Sequence, residues 1–374
     1  MTTSKIISLP QPHLACAGPT LWRVEANVEG MDLFIEAPIP LLPRAESLVC
    51  PFLFPAMLEH ADLEVAGTLD STFQKNLVFV RNRATEWWPE LGAGEVHAPL
   101  GSGAKRGTRA GFFFTGGIDS SYVLQQLHPQ LRYAVFVEGF DIGLWDRERL
   151  DKARAWLKTT TEKCGVELVV VRTNLREHPL FSKVSWEITH VAALAAVAHA
   201  LGEHVDRMYI AASDVAPPWG SAPELDAAWS SASMELVNYS AELTRLERVR
   251  SLAHWEPIRG RLRVCWANSS SELNCGFCEK CVRTRMQLFV CGAPDGLDSF
   301  PAEPGLSSVL GRLDVVQKDL HEQWREISAN LTDRRLQRQI EGLLKRSNAG
   351  LLRRIVRRLK RIARRLKRVI VTEE

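Results

Sequence analysis

Residues 111–127 have the sequence GFFFTGGIDSSYVLQQL, in which an apolar run meets two glycines and then a segment with the pattern of a helix. Phe112–Phe114 is typical of a buried strand, and a helix is expected to begin near Asp119 or Ser120. The two glycines between them would let the backbone turn sharply and approach a ligand without Cβ clashes. The stretch therefore predicts a strand, a ligand-facing loop and a helix.

The sequence between residues 110 and 215 extends this unit into an α/β fold. Short apolar runs alternate there with helical patterns, which indicates βαβ units and a parallel sheet covered on both faces. Ligands of such sheets lie beyond the carboxyl ends of the strands. The predicted strands are Ala110–Phe114, Tyr133–Val137, Glu167–Arg172 and Arg207–Ala212, and the predicted helices begin at Ser120 or cover Arg147–Lys163 and Trp186–Leu201.

Other elements are expected on both sides of this region. The first hundred residues alternate short apolar runs with Pro and Gly, and residues 92–108 have the composition of a loop. We expect a hairpin of Leu21–Val28 and Asp32–Ala37, helices over Phe52–Ala61, Phe73–Trp88 and Met234–Ala253, and charged helices within residues 305–346.

The residues of the glycine loop suit phosphate binding. A helix start offers unpaired N–H groups and the positive end of the helix dipole, and the hydroxyls of Thr115, Ser120 and Ser121 add donors. Asp119 would repel a phosphate unless a cation intervened, which suggests Mg²⁺ between this carboxylate and the phosphates. A glycine turn with Asp119 as a helix cap would contain the same residues. The G-x-x-x-x-G-K motif of γ-phosphate transferases is not present.

Four cysteines form a second motif within residues 265–281. Two-residue spacers let successive thiolates converge on one ion, and four sulfur ligands are typical of a closed, structural Zn²⁺ site. Iron–sulfur ligation, a thiol-redox pair, and buried cysteines without a metal are the alternatives, and Cys291 could replace the first ligand. The predicted ligands are Cys265, Cys275, Cys278 and Cys281.

The segment from Thr115 to Ser121 resembles the S-G-G-x-D-S signature of the PP-loop ATP pyrophosphatases, with Thr115 in place of the first serine. The resemblance implies a Rossmann-like, adenine nucleotide alpha hydrolase-like domain that cleaves ATP between its α- and β-phosphates with Mg²⁺. It also implies that the end of the second strand approaches the adenosine. The implied catalytic residues are Asp119 and Ser120, and the implied nucleotide-binding residues are Thr115, Gly116, Gly117, Asp119, Ser120, Ser121 and Glu138.

The glycine loop followed by the cysteine motif resembles 7-cyano-7-deazaguanine synthase-like proteins over about residues 110–285. This resemblance implies adenylation of a carboxylate or amide of a small molecule, followed by amide- or nitrile-type C–N bond formation. The first hundred residues, the segment after residue 218 and the basic tail depart from that family and favour another substrate. The alternatives are a PP-loop enzyme that thiolates RNA and a non-catalytic nucleotide-binding module held at a membrane or in a complex.

Further candidate residues follow the predicted strands or begin the next helices. Ser213 and Asp214 would lie where the fourth strand ends in the ligand crevice, and we count them among the nucleotide-binding residues. For each of the others, capping, packing or solvent exposure is an alternative to a role in the site. They are Asp141, Trp186, Glu187, His190, Trp219, Asp226, Trp229, Arg283 and Arg285.

Charge is unevenly distributed along the 374 residues. The net charge is +3, but residues 351–374 contain ten Arg/Lys and two Glu, so the rest of the chain carries −5. The tail has an apolar stripe at spacings of three and four residues and an Arg/Lys face, the pattern of a cationic amphipathic helix. An anionic membrane surface, a protein partner, a nucleic acid or the body itself could bind it.

Three regions are expected along the chain. They are an N-terminal α+β domain at residues 1–108, a PP-loop domain at 109–300 that includes the cysteine motif, and a helical region at 301–374. Pro10 and Pro12 interrupt the stretch that a signal peptide would need as an apolar helix, and no apolar run is long enough to span a membrane. We therefore expect a cytoplasmic protein that the tail could attach to the inner membrane face. The sequence leaves the oligomeric state open.

Overall fold

The computed structural model of the protein describes residues 5–101 and 107–348. Its strands are β1 (Lys5–Leu9), β2 (His13–Gly18), β3 (Leu21–Val28), β4 (Met31–Ala37), β5 (Ala61–Val65), β6 (Leu69–Asp70), β7 (Val96–His97), β8 (Leu100–Gly101), β9 (Arg109–Phe113), β10 (Leu131–Glu138), β11 (Glu167–Thr173), β12 (Val205–Ala211) and β13 (Glu235–Tyr239). Its helices are α1 (Glu46–Leu58), α2 (Ser71–Trp87), α3 (Ile118–Leu127), α4 (Arg147–Lys163), α5 (Trp186–Ala200), α6 (Pro223–Ala227), α7 (Arg245–Leu252), α8 (Glu279–Val290), α9 (Leu306–Gly311), α10 (His321–Ala329) and a helix over residues 334–348.

The largest sheet confirms the α/β class. Its order is β13-β12-β9-β10-β11-β4-β3-β2, and the first five of these strands are parallel. The four parallel strands expected from the sequence are β9, β10, β11 and β12, and β13 adds a fifth. Strand β9 lies in the middle, with β10 on one side and β12 on the other, so the chain reverses its direction of winding beside β9.

The first hundred residues contribute three antiparallel strands to the same sheet. Strand β4 pairs with β11, and the predicted hairpin is formed by β3 and β4 around a two-residue turn at Glu29 and Gly30. Both turn residues have positive φ, 48° and 84°, as a tight hairpin turn that matches the twist of its strands requires. The division proposed at residue 108 is thus crossed by the pairing of β4 with β11.

Alternating side chains of β9 reach two different apolar layers. Phe113 packs in the core that contains α1 and α5, whereas Phe112 and Phe114 pack in the core that contains α3 and α4. Opposite faces of one strand therefore carry different helices, as the alternation of side chains in a strand requires. This arrangement fixes the loop after β9 between two helix layers.

The helix expected over Met234–Ala253 is wrong in its first half. Residues Glu235–Tyr239 form the edge strand β13, and the helix begins only at Arg245. Thr244 caps this helix in a reciprocal capping box with Glu247. The T-x-x-E pattern was present in the sequence and marks the true start of the helix.

The C-terminal region is helical, as expected for residues 305–346. Helices α8, α9 and α10 and the helix over 334–348 enclose their own apolar cluster, centred on the fully buried Trp324. No helix within the described residues is both long and apolar enough to cross a membrane. The basic amphipathic helix expected at residues 351–374 lies outside the described residues.

Candidate phosphate-binding loop and cysteine cluster

The loop after β9 turns at Gly116 and leads directly into helix α3. Gly116 has φ +73°, and a Cβ on it would lie 2.9 Å from Leu157, so both backbone and packing favour glycine there. Gly117 caps the helix with ordinary extended backbone, and a Cβ on it would meet nothing closer than 3.5 Å. The helix start presents backbone N–H groups that have no partner within the helix.

The hydroxyls of the loop lie close together at this helix start. The Ser120 hydroxyl lies 3.4 Å from the Thr115 hydroxyl and 3.4 Å from the carbonyl oxygen of Gly117. Ser121 is fully buried, and its hydroxyl makes no hydrogen bond to any described residue. The hydroxyls of Thr115 and Ser120 therefore lie together at the start of α3, whereas that of Ser121 is buried in the first turn of the helix without a partner among the described residues.

The position of the loop in the sheet suits a ligand. Crevices of parallel sheets open where the chain winds in opposite directions from neighbouring strands, outside their carboxyl ends. The loop after β9 and the segment after β12 flank such a point. Asp214, just beyond β12, accepts a hydrogen bond from the backbone N–H of Arg245 at 3.0 Å, and the Ser213 hydroxyl has no partner among the described residues.

Asp119 is held by two buried arginines. Its carboxylate forms ion pairs with Arg245 and with Arg248, the latter at 2.9 Å from Nη1. Burial raises the pKa of Asp119, but Arg245, Arg248 and the nearby Lys280 together lower it to about 2. The carboxylate is therefore ionised at neutral pH, and its charge is compensated by the arginines.

Arg248 connects the ends of three neighbouring strands. It is fully buried, and besides Asp119 it donates hydrogen bonds at 2.8 Å to the carbonyl oxygens of Ala212, Ser240 and Leu243. These carbonyls follow β12 and β13, while Asp119 is in the first turn of α3, just after β9. One guanidinium thus fixes the spacing of the strand ends that border the crevice.

Glu138 lies at the end of β10 in a different environment. The structure buries its carboxylate and pairs it with Arg154 at 3.1 Å and Arg172 at 3.5 Å. Burial raises its pKa from the ordinary value, and the two arginines oppose that rise. The contacts found for this side chain are with the two arginines rather than with the loop residues.

The four predicted cysteine ligands converge. The sulfur atoms of Cys265, Cys275, Cys278 and Cys281 all lie within 4.8 Å of one another, with 3.8 Å between the first and third and 3.9 Å between the second and fourth. Four thiolates about 2.3 Å from a tetrahedral Zn²⁺ would be about 3.8 Å apart. The cluster could therefore hold a metal such as zinc, with all four ligands from protein.

The cysteine cluster is built against the glycine loop. The backbone N–H of Arg263, two residues before the first cysteine, donates to the carbonyl oxygen of Gly116 at 2.7 Å. Ile118, the first residue of α3, packs in one apolar cluster with Cys265 and Cys281. The cysteine segment and the loop thus share a backbone hydrogen bond and an apolar cluster.

Asn274 secures the segment that carries the first cysteine. Its side-chain oxygen accepts from the N–H groups of Val264 and Cys265 at 2.9 and 3.2 Å, and its amide donates to the carbonyls of Leu262 and Ser299 at 2.6 and 2.7 Å. This buried amide satisfies four backbone groups at once, so it fixes the geometry of a non-helical, non-strand segment.

Asp141 lies within electrostatic range of His190, in the first half of α5. Asp141 follows β10, and its carboxylate lies 3.7 Å from Nη1 of Arg263. His190 places Nδ1 3.2 Å from the carbonyls of Trp186 and Glu187, and its ring centre lies 5.7 Å from that of Trp219. Burial lowers the pKa of His190 to about 4, so the imidazole is neutral at physiological pH.

The contacts found for the remaining candidates are with residues of the core, with a neighbouring carboxylate or with the backbone. Asp226 is fully buried and accepts hydrogen bonds from Ser221 and Asn238, and Trp229 packs in the main core. Arg283 pairs with Glu279 at 2.8 Å, and Arg285 donates to backbone carbonyls beside the cysteine cluster.

Sequence reasoning missed the arginines that organise the site. Arg245 and Arg248 are three residues apart, so a helix places them on one face, and this spacing was a readable signal. Their partner Asp119 lies 126 and 129 residues away and could not be inferred from spacing. Arg263 and Asn274 carried no local signal beyond their proximity to the cysteines.

Comparisons of the chain with protein-family models, with curated proteins and with solved structures find no match.

Proposed function

We propose that this protein is an AMP-forming, ATP-dependent carbon–nitrogen ligase of the PP-loop type. A carboxylate or amide oxygen of a small-molecule acceptor would attack the α-phosphorus of ATP, and the bond to the β-phosphate would break with release of pyrophosphate. A nitrogen nucleophile would then displace AMP from the activated carbon and lose a proton. This is the chemistry implied by the resemblance to the 7-cyano-7-deazaguanine synthase-like proteins.

The observation that carries the proposal is the glycine loop at the reversal of winding beside β9. Gly116 has a positive φ, the backbone N–H groups of α3 point out of the helix start, and two hydroxyls lie at the same point. Such a helix start binds phosphate oxygens through its N–H groups and dipole. The leaving pyrophosphate would be stabilised by these donors without a proton transfer from a side chain.

The contacts of Asp119 show whether its carboxylate is free to bind Mg²⁺. Both carboxylate oxygens are paired with arginines, whose positive charge opposes a divalent cation at the same group. With both oxygens paired in this way, Asp119 does not fit the role of a magnesium ligand. We propose instead that it holds Arg245 and Arg248 in position. In this proposal, Mg²⁺ comes with the nucleotide phosphates.

The cysteine cluster fits a structural zinc ion. Four sulfur ligands close the coordination sphere, and the metal would supply folding free energy to the segment that supports the loop. RNA thiolation needs an activated thiol outside this cluster. Burial instead raises the pKa of Cys50, Cys164 and Cys291, which makes these thiols less reactive. The remaining free cysteine, Cys16, is exposed, but it is on the edge strand β2, at the opposite end of the sheet from β12 and β13. The ligase is therefore the better supported of the two enzymes.

The test follows the fate of α-labelled ATP. The protein is incubated with Mg²⁺, the labelled nucleotide and pooled small-molecule metabolites as the source of acceptor. We expect AMP and pyrophosphate in equal amounts; formation of ADP and phosphate alone would contradict the proposal. A non-catalytic binding module would bind ATP and give neither pair of products.

A matched pair of variants assigns this reaction to the loop. Gly117 and Gly305 both cap a helix with negative φ, and both have room for a Cβ. Gly117→Ala is expected to lower AMP formation at least about tenfold, because a methyl group would enter the phosphate loop. Gly305→Ala has the same effect on a helix cap and should leave AMP formation unchanged.

A further inference from the structure

The cysteine motif places a lysine beside the glycine loop. Lys280 lies between the metal-ligand candidates Cys278 and Cys281, in the first turn of α8. Its ammonium is within electrostatic range of Asp119 and Asp141. Two cysteines of the cluster flank this lysine, so the cluster fixes the position of its backbone.

Lys280 has no carboxylate at ion-pair distance among the described residues. Within residues 5–101 and 107–348, no hydrogen bond or ion pair is formed by its ammonium, although the side chain is half-buried. The two carboxylates within electrostatic range of Lys280 have other partners: Asp119 is paired with Arg245 and Arg248, and Asp141 lies 3.7 Å from Nη1 of Arg263. Arg245 and Arg283 add like charges around the lysine. A partly desolvated cation among other cations is unfavourable unless an anion binds there.

Arg263 is a second incompletely paired cation at the same place. It is 4% exposed, and neither Nε nor Nη2 has a hydrogen-bond partner among the described residues. Its backbone is bonded to Gly116, so its side chain starts next to the phosphate loop. Buried guanidinium donors of this kind are normally satisfied, and their lack of partners points to an anionic ligand.

We infer that Lys280 is a phosphate ligand of the nucleotide site and that the four-cysteine metal centre holds it in place. The inference rests on the proposed ATP site and goes beyond it, because it gives the metal centre a part in nucleotide recognition. The ligand chemistry is a polyphosphate: the excess of positive charge around Lys280 suits the β- and γ-phosphates or pyrophosphate rather than a monophosphate.

The first experiment measures the affinities of wild type and variants for ATP, inorganic pyrophosphate and AMP by isothermal titration calorimetry. Lys280→Met is expected to weaken binding of ATP and of inorganic pyrophosphate about 10- to 100-fold, the range for loss of one charged hydrogen bond, with little effect on AMP. Lys280→Arg, which keeps the charge, should recover part of the loss. Lys75→Met removes an exposed lysine of α2 and is the matched control. Equal affinities of Lys280→Met and wild type for ATP, or an equal loss for AMP and ATP, would overturn the inference.

The second experiment tests the dependence on the metal. Zinc is removed with a chelator from wild type and from Lys280→Met, and ATP affinity is measured again. Because part of the effect of the metal is to hold Lys280, zinc removal should cost less ATP affinity in Lys280→Met than in wild type. Additive losses would show that the metal acts independently of the lysine. If wild type does not bind ATP even before zinc is removed, the proposed function itself is wrong.

Discussion

Asp226 is a fully buried carboxylic acid in the short helix α6, which follows β12. Burial raises its pKa from the ordinary value of 3.8 to about 7, and hydrogen bonds from Asn238, Ser221 and the Ala222 N–H oppose the rise only in part. The native state therefore keeps a proton that the unfolded chain has already released between about pH 4 and pH 7.

This proton gives a testable pH dependence. Since the native protein binds more protons than the unfolded chain in that window, the free energy of unfolding should fall as the pH rises from about 4 to about 7, by no more than about 4 kcal/mol from this group. Asp226→Asn should flatten the dependence, because an amide does not titrate in this range. The variant is expected to fold, since its amide can donate to the Asn238 side-chain oxygen, which lacks a partner among the described residues. Urea denaturation at a series of pH values measures the slope.

The control for this prediction is Glu242→Gln, which neutralises an exposed carboxylate. It should leave the slope as in wild type. An unchanged slope in Asp226→Asn would show that another group is responsible.

At the residue scale, the sequence identified the residues of the glycine loop and of the cysteine cluster, but not the arginines that pair with Asp119. Glycines, hydroxyls and closely spaced cysteines reveal themselves by local pattern, and they lie where the sequence put them. The ion pairs of Asp119 depend on which helix packs over the loop. This is a tertiary contact that no local sequence pattern predicts.

At the scale of elements, the segment between Cys265 and Cys275 is irregular and must be fixed by side chains. Arg149 of α4 donates to the carbonyl oxygens of Asn268, Ser270 and Glu272 at 3.3, 2.7 and 2.8 Å. It also pairs with Asp146 at 2.6 Å. One buried arginine therefore anchors the loop of the metal site to a helix of the sheet domain.

Loss of this anchor should loosen the metal site. Arg149→Met is expected to reduce the free energy of unfolding by about 2 kcal/mol, since several hydrogen bonds of a charged group are lost, and to accelerate zinc transfer to a chromogenic chelator. Lys152→Met is the control, because Lys152 donates to a single carbonyl of the same loop, that of Ser271, from an exposed position. Equal zinc-transfer rates in the two variants would refute the anchoring role.

The elements that the sequence predicted well are those with strong periodicity. The parallel strands and the long helices α4 and α5 were found close to their expected bounds. The failure at Glu235–Tyr239 came from a strand of five residues, too short to show whether its apolar side chains follow a period of two or 3.6. Its strand conformation is set by pairing with β12, a tertiary contact.

At the scale of the whole molecule, Glu36 joins the antiparallel and parallel parts of the sheet. This β4 residue is opposite Arg23 of β3 and Arg172 of β11, and its buried carboxylate accepts from both, at 2.7 and 3.0 Å. The main apolar core likewise contains residues from both sides of position 108. The first hundred residues and the parallel sheet are therefore expected to unfold together.

Glu36→Ala tests this coupling. The substitution should lower the free energy of unfolding by about 2 to 3 kcal/mol while the transition stays single, because the two arginines lose their shared buried partner. Thermal unfolding is followed by far-ultraviolet circular dichroism and tryptophan fluorescence. Glu25→Ala, at a partly exposed carboxylate on β3, should have a much smaller effect. Two separate transitions in either protein would favour independent domains.

The ion pairs of Asp119 can form only late in translation, because both partners follow it by more than a hundred residues. The carboxylate of the loop must wait for arginines made 126 and 129 residues later, and Arg245 in turn donates to Thr284, a further 39 residues on. A ribosome-bound chain that ends before residue 245 carries the complete glycine loop without the two arginines that pair with Asp119. The nucleotide binding proposed above would therefore begin only after Arg245 and Arg248 have left the exit tunnel, and it would not guide the early folding of the chain.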